Sequence, residues 1–140
     1  MTPASLVLEL VERVWNGGDL DGLRDYYAPT FDHDGGTASI EGLTAWHQGE
    51  AQTWAGTTYV ILDCVANEES VALRWRAAST HVGPWGKVQP TGRRVEWTGA
   101  HFFLVDNDKI VAMDSVTDRT DSARLLNVNI SPPELPSHDD

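Results

Sequence analysis

From residue 57 to residue 118 the apolar side chains recur largely at every second position, a rhythm that only a sheet of long strands satisfies. The clearest case is 70–81. There Val71, Leu73, Trp75, Ala77, Ser79 and His81 share one face, while Arg74 and Arg76 lie opposite. In 93–105 the shared face carries Val95, Trp97, Gly99, His101, Phe103 and Val105. Its opposite face, with Glu96, Thr98, Ala100 and Phe102, is not wholly polar and suits contact with a partner subunit. Gly99 is the expected place for a bulge. Strands over 57–65 and 109–118 complete the set. Asn67-Glu68-Glu69 and Asp106-Asn107-Asp108 are the tight connections, and 82–90, with Gly83, Pro84, Gly86 and Pro90, is a loop.

Before residue 57 the period is helical. Leu6, Val7, Leu10, Val11, Val14 and Trp15 predict a helix over 5–15, capped by Thr2-Pro3 and ended by Asn16-Gly17-Gly18. Asp19 caps a second helix with Leu20, Leu23, Tyr26 and Tyr27 on its apolar side, stopped by Pro29. A short strand over 31–33 leads to a turn at Asp34-Gly35-Gly36. A third helix over 43–54 has a mixed face, Leu43, Trp46, His47, Glu50, Ala51 and Trp54, suited to covering the mouth of a pocket. Helices first and a meander of antiparallel strands after them make an α+β domain. A strongly curved sheet backed by N-terminal helices leaves a cone-shaped cavity for a small apolar ligand. One domain over 1–130 is expected, followed by an acidic, proline-rich tail over 131–140 that frays.

Alternation in the last strand gives Ile110, Ala112, Asp114, Val116 and Asp118 one parity, and the apolar members mark that face as the inner one. Two carboxylates on a buried face are costly unless chemistry requires them. The inward set is then Trp75, His81, Trp97, His101, Phe103, Asp114 and Asp118, closed from the helices by Trp15, Tyr26, Trp46 and Trp54. Tyr26 and Tyr27 are consecutive, so only one can point fully inward. An aromatic wall with a few titratable groups suits a flat, conjugated or polycyclic ligand. Desolvation and a second carboxylate raise the pKa of an aspartate in such a place, towards a base able to take a proton from carbon beside a carbonyl. His101 or His81 supplies the donor for the resulting enolate, or returns the proton.

Charge narrows the partners. A formal net charge of -11 repels phosphate backbones, and no basic stripe offsets it, so nucleic acid is not an expected partner. No apolar run approaches the ~20 residues of a membrane span, and no secretory signal precedes the first helix, so a cytoplasmic protein is expected. The single cysteine, Cys64, forms no intrachain disulfide and reads as a filler in an apolar strand. The five histidines show no HExxH spacing. Asp32, His33 and Asp34 read as a polar strand edge or turn, not as metal ligands.

Four stretches together resemble the SnoaL-like polyketide cyclases of the nuclear-transport-factor-2-like superfamily, which includes the ketosteroid isomerases. They are Val14-Trp15-Asn16-Gly17-Gly18-Asp19-Leu20-Asp21-Gly22-Leu23, Phe31-Asp32-His33, Thr80-His81-Val82-Gly83 with Pro90-Thr91-Gly92-Arg93, and the closing run from Lys109 to Asp118. The likeness spans roughly 6–130. It implies a cystatin-like α+β barrel, a homodimer, and no cofactor. It also implies a closing-strand aspartate, Asp118, as the acid/base of an intramolecular aldol ring closure, assisted by a histidine of the preceding strand, His101. His33 joins the substrate-binding set. The implied substrates are anthraquinone-type esters or acids of secondary metabolism. At Asp114 similar sequences commonly carry tryptophan. The change opens space and adds an acid, which suits a proton-transfer task other than strict aldol closure, such as isomerisation, rearrangement or epoxide opening.

The reading is therefore a cofactor-free cyclase or isomerase acting on a polyketide-like carbonyl compound. Three alternatives remain open: an epoxide hydrolase using both aspartates, a non-catalytic carrier of a hydrophobic metabolite, and a dimerisation domain with a filled cavity.

Overall fold

Thr2 starts the first helix: its hydroxyl accepts the Ser5 N–H at 3.1 Å, and Pro3 occupies the first turn, where no N–H is needed. The computed structural model describes residues 1–127; the expected tail over 131–140 lies outside the described residues. Helix α1 (Pro3–Leu10) buries Leu6, Val7 and Leu10, then widens into a π-helical segment, Val11–Asn16. The expected helix over 5–15 is thus present in two geometries. Asn16 fixes its end to the sheet, accepting the Tyr59 N–H at 2.7 Å and donating to the Tyr59 carbonyl at 3.0 Å. Trp15 is thereby held over the sheet. The second helix is a 3-10 segment, Leu20–Asp25.

Six strands follow: β1 (Tyr27–His33), β2 (Gly36–Ser39), β3 (Trp54–Ala66), β4 (Ser70–His81), β5 (Arg94–Asp106) and β6 (Lys109–Asp118), in the sheet order β2-β1-β6-β5-β4-β3. All neighbours are antiparallel except β1 and β6, which run parallel. Strand β1 starts earlier than expected, and β2 is an unexpected short partner for it. Helix α2 (Ile40–Thr53), capped by the Ser39 hydroxyl on the Gly42 N–H at 3.1 Å, buries only Leu43 fully and lies across the open end of the sheet. A short helix α3 (Thr120–Leu125), absent from the expectation, packs on β5, where Ser122 donates to the Glu96 carbonyl at 2.9 Å. The α+β architecture, a curved antiparallel sheet backed by N-terminal helices, is as expected. No helix among the described residues is long and apolar enough to cross a membrane.

The inner face of β4 is as its alternation predicts: Val71, Leu73, Trp75, Ala77, Ser79 and His81 are all buried, with Arg74 and Arg76 outside. Strand β5 also keeps its parity, and its pairing with β4 runs without a break through Gly99. The expected bulge is not there. Gly99 has another cause: it sits opposite Trp75, and a Cβ on it would overlap the indole ring and the Val116 carbonyl.

The irregularity lies between β5 and β6. Val105 pairs with Ile110 and Leu104 with Ala112, so Val111 is an extra residue on β6. One inserted residue turns every later side chain to the other face. Ile110 is buried, but beyond the bulge Met113 is the buried residue while Asp114, Val116 and Asp118 are exposed. The expectation that Asp114 and Asp118 point inward is therefore corrected. Both lie on the outer face, Asp118 beside Leu62, Arg74 and Thr98.

Gly99→Ala is expected to cost about 1–3 kcal/mol through forced displacement of Trp75. Urea unfolding measures the loss, and a changed near-ultraviolet tryptophan spectrum reports the shifted ring. Unchanged stability would contradict the packing described.

Candidate active site

Between α2, the π-helical turn and the inner face of the sheet lies a cavity of about 260 Å³. Its sheet wall is built around His101. Trp75, diagonally across from it on the neighbouring strand β4, donates its indole N–H to His101 Nδ1 at 2.9 Å. Trp15 stands 4.8 Å from the imidazole, centroid to centroid, and Phe103 stacks on it at 5.7 Å and 17°. Indole is only a donor, so Nδ1 must hold its lone pair towards Trp75, and in the neutral ring the proton sits on Nε2. Nε2 bonds no described protein group and is not among the buried unpartnered atoms. It is a donor available to the cavity. Burial, with His33 nearby, pushes the His101 pKa down to about 4, against a smaller opposing effect of Asp34. Protonating Nδ1 would also set an N–H against the indole N–H.

The acid of the cavity is Asp34. Asp34-Gly35 is the two-residue turn joining β1 to β2, with both residues at positive φ, 47° and 86°. Asp-Gly is the pair that such a hairpin turn favours. Strand β6 clamps the turn. The Asp34 N–H donates to the Met113 carbonyl at 3.3 Å and to Asp114 Oδ1 at 3.1 Å, and Asp34 Oδ1 accepts the Ser115 N–H at 3.0 Å. Asp34 Oδ2 lies 3.1 Å from His33 Nε2. Asp114 thus anchors the turn from outside the cavity, while Asp34 supplies a carboxylate on the cavity wall.

Tyr27, Tyr59, His47 and Ser115 complete the polar lining, with Leu43 and Met113 as apolar floor. Burial pushes the Tyr59 phenol up to about 12 and the His47 imidazole down to about 4, so both are neutral near pH 7. The Tyr27 hydroxyl points at the Met113 sulfur, 3.2 Å away, and burial raises its pKa as well. Ser115 is the cross-strand partner of His101, so a serine, a histidine and an aspartate line one cavity. They do not form a nucleophilic triad. His101 offers Nε2 as a donor, and its Nδ1 faces Trp75 where a triad requires an acid.

The remaining expected site residues divide by position. His33, Trp15 and Trp46 line the cavity, and Trp46, 55% exposed, stands at its mouth. Trp54 and Trp97 line an adjoining cleft. Trp75 and Phe103 are buried behind His101 and hold it. Tyr26 is turned away: its hydroxyl donates to Glu9 at 2.9 Å, and its neighbour Tyr27 faces the cavity instead. His81 is buried outside the cavity and accepts the Thr91 N–H on Nδ1 at 3.2 Å, which ties down the loop between β4 and β5. Asp118 is exposed; Thr120, by side chain and then by backbone N–H, holds its carboxyl below the usual range. Sequence reading missed Asp34, Tyr59 and His47 as site residues. The Asp-Gly turn signal and the alternation Thr57, Tyr59, Ile61 were the available clues. No group of three or more His, Cys, Asp or Glu among the described residues is arranged to hold a metal ion.

His101 is expected to show the Nε2–H tautomer at pH 7 in long-range proton–nitrogen NMR spectra and to start titrating only near pH 4. An unfolded histidine takes its proton near pH 6.5, so the unfolded state binds more protons between those values. Stability should therefore fall as pH drops from about 6.5 to about 4, and Trp75→Phe should raise the His101 pKa. An imidazole already charged at pH 6.5 would contradict the arrangement.

Comparison with known proteins accords with this geometry. The family model of the SnoaL-like polyketide cyclases matches residues 5–126. Among solved structures, wild-type IdmH from Streptomyces antibioticus is 26% identical with a TM-score of 0.80, the match covering 91% of this chain and all of that one (100%). AclR from Streptomyces galilaeus is also 26% identical, with a TM-score of 0.77 and coverage of 88% and 93%. A SnoaL-like polyketide cyclase from Agrobacterium tumefaciens, 19% identical over 90% of this chain and 98% of that one, shares the fold with a TM-score of 0.80. No curated protein sequence matches the chain. With a family model covering nearly all of the described chain, the chain belongs to the SnoaL-like polyketide cyclase family.

Proposed function

We propose that this protein is a cofactor-independent cyclase or isomerase acting by acid/base catalysis on a polyketide-derived carbonyl compound in secondary metabolism. The observation that carries this reading is the pairing of one carboxylate, Asp34, with one neutral imidazole donor, His101 Nε2–H, on the walls of a single aromatic cavity. Family membership supports the substrate class.

In this reading Asp34 takes a proton from carbon beside the substrate carbonyl: the C–H bond breaks and an O–H bond forms on the carboxylate. The electron pair moves onto the carbonyl oxygen, where the His101 N–H meets the developing charge. A neutral donor suits this task, because it stabilises the oxyanion without protonating it fully and is held in place before the charge develops. The carbanion then attacks a second carbonyl carbon, closing a ring: the new C–C bond forms, the first C=O is restored, and the attacked C=O pair becomes an alkoxide that takes the proton from Asp34; alternatively, a conjugated dienolate takes that proton back at its distal carbon, giving an isomer. His33 orients the carboxylate from the cavity wall. Trp15, Tyr59 and Trp46 hold the flat skeleton so that the acidic carbon faces Asp34.

Asp118 and Asp114, the acids expected to do this work, lie on the outer face and have no role in the step. The epoxide-hydrolase alternative rested on both of them and loses that support. The open cavity speaks against a purely structural dimerisation domain.

The outer face supports a second proposal, a homodimer. Phe102, Leu104, Val60 and Val116 are each about half exposed or more across the outer side of β3, β5 and β6. Arg74 and Arg76 on β4, with Asp114 and Asp118 on β6, give that face charges of both signs, so it can pair with itself. The protein should sediment as a dimer and Val116→Lys as a monomer; a monomeric parent would refute this.

Catalysis is tested on 2-tetralone, a compact ketone with acidic α-hydrogens, by following deuterium uptake from heavy water. The parent should accelerate exchange, Asp34→Asn should lose roughly 100-fold or more, and Asp118→Asn should match the parent. Equal rates for the parent and Asp34→Asn would overturn the assignment. Tight binding with no exchange in any variant would favour a carrier.

A further inference from the structure

Four residues of the cavity wall, Trp15, Trp46, His47 and Tyr59, also border a second, larger compartment of about 570 Å³, whose far wall is Trp54 and Trp97. Alone, the inner cavity of about 260 Å³ falls short of the ~300–1,000 Å³ that encloses a whole drug-sized ligand. The two together fall within it. A flat ligand whose reacting end sits at Asp34 thus has an aromatic compartment for its other end beyond Tyr59.

The acidic and basic side chains along this path are of one kind. Asp34 lines the inner cavity, Glu50 lines the second compartment, and no Lys or Arg lines either. An anionic ligand would meet two carboxylates and no cation, in a chain whose formal net charge is already -11. Glu50 also has acceptor capacity to spare. Its ion-pair partner, Arg119, comes only to 3.7 Å, beyond hydrogen-bonding distance, and no described residue donates a hydrogen bond to the Glu50 carboxylate. The Arg119 guanidinium is instead stacked on Trp97, 3.9 Å from the ring centroid, and is not part of the lining. From there its charge offsets that of Glu50, so a neutral ligand group suffices and a cation is not required. A carboxylate accepts and cannot donate, so the group that matches it is a hydroxyl or amine.

We infer that the second compartment takes the distal part of an elongated substrate, and that Glu50 selects that part, accepting a hydrogen bond from a hydroxyl or amino group and turning anionic ends away. This rests on the proposed function for the reacting end of the same ligand and adds a specificity-determining residue for the other end. The reacting carbon then lies at Asp34, with the donor group past Tyr59.

The test is binding, read as quenching of tryptophan fluorescence by three anthraquinones that differ only in the group at position 2: hydroxymethyl, methyl or carboxylate. The parent should bind the hydroxymethyl compound about tenfold more tightly than the methyl compound, as one hydrogen bond to a charged acceptor allows, and the carboxylate most weakly of the three. Glu50→Leu should bind the hydroxymethyl and methyl compounds alike. Glu50→Gln, which removes the charge and keeps the shape, leaves the question decidable should Glu50→Leu fail to fold: it should bind the carboxylate severalfold more tightly than the parent does. Ala51→Trp, which fills the compartment from α2, should weaken all three anthraquinones and spare 1,4-naphthoquinone. A parent indifferent to the hydroxyl, a hydroxyl preference retained in Glu50→Leu, carboxylate binding unaltered by Glu50→Gln, or anthraquinone binding indifferent to Ala51→Trp would each overturn the inference. Because binding is read without proton transfer, such a failure leaves the Asp34 exchange result standing on its own.

Discussion

One hydrogen bond organises the interior: the Trp75 indole N–H on His101 Nδ1. It determines which imidazole nitrogen carries the proton and which way that proton faces, while burial keeps the ring neutral. Much of the sheet serves it. Gly99 leaves room for the indole, Phe103 and Trp15 pack the imidazole, and Asn16 holds Trp15's turn against β3. A histidine held this way is a donor and not a base. The site therefore needs its base from elsewhere, and the β1–β2 turn provides it as Asp34.

That division of labour shows why the closing strand is misleading. Its aspartates look like the proton-handling groups, yet Val111 turns them out. What β6 contributes inward is Met113 and Ser115, and what Asp114 contributes is a clamp on the Asp34 turn. The acid function moves from the last strand to the first hairpin, across a parallel β1–β6 pairing that brings residues far apart in sequence side by side.

Strand β4 and the first half of β5 were readable because valine, leucine and tryptophan alternate there with arginine, glutamate and threonine, which marks the inner face. The same holds for α1, whose apolar stripe fixes the buried side even though its last turn widens. Strand β6 was not readable. Ile110, Val111, Ala112 and Met113 are all apolar, so an extra residue among them leaves no mark in the pattern, and the parity read from Ile110 runs the wrong way from Ala112 onward. Strand β2, only four residues long beside two glycines, carries no periodicity. Asp34 was visible as a turn residue. Its place in the site depends on its positive φ and on β6 backbone groups some eighty positions away.

The central claim is that a substrate oxygen sits on a neutral His101 donor with its carbon skeleton turned towards Asp34. A crystal structure with 2-naphthol bound tests it directly. The account predicts the phenolic oxygen within about 3.2 Å of His101 Nε2, with the rings between Trp15 and Tyr59 and one ring edge facing Asp34. Naphthol oxygen directed away from His101, or naphthol seated on the outer face beside Asp118, would contradict it.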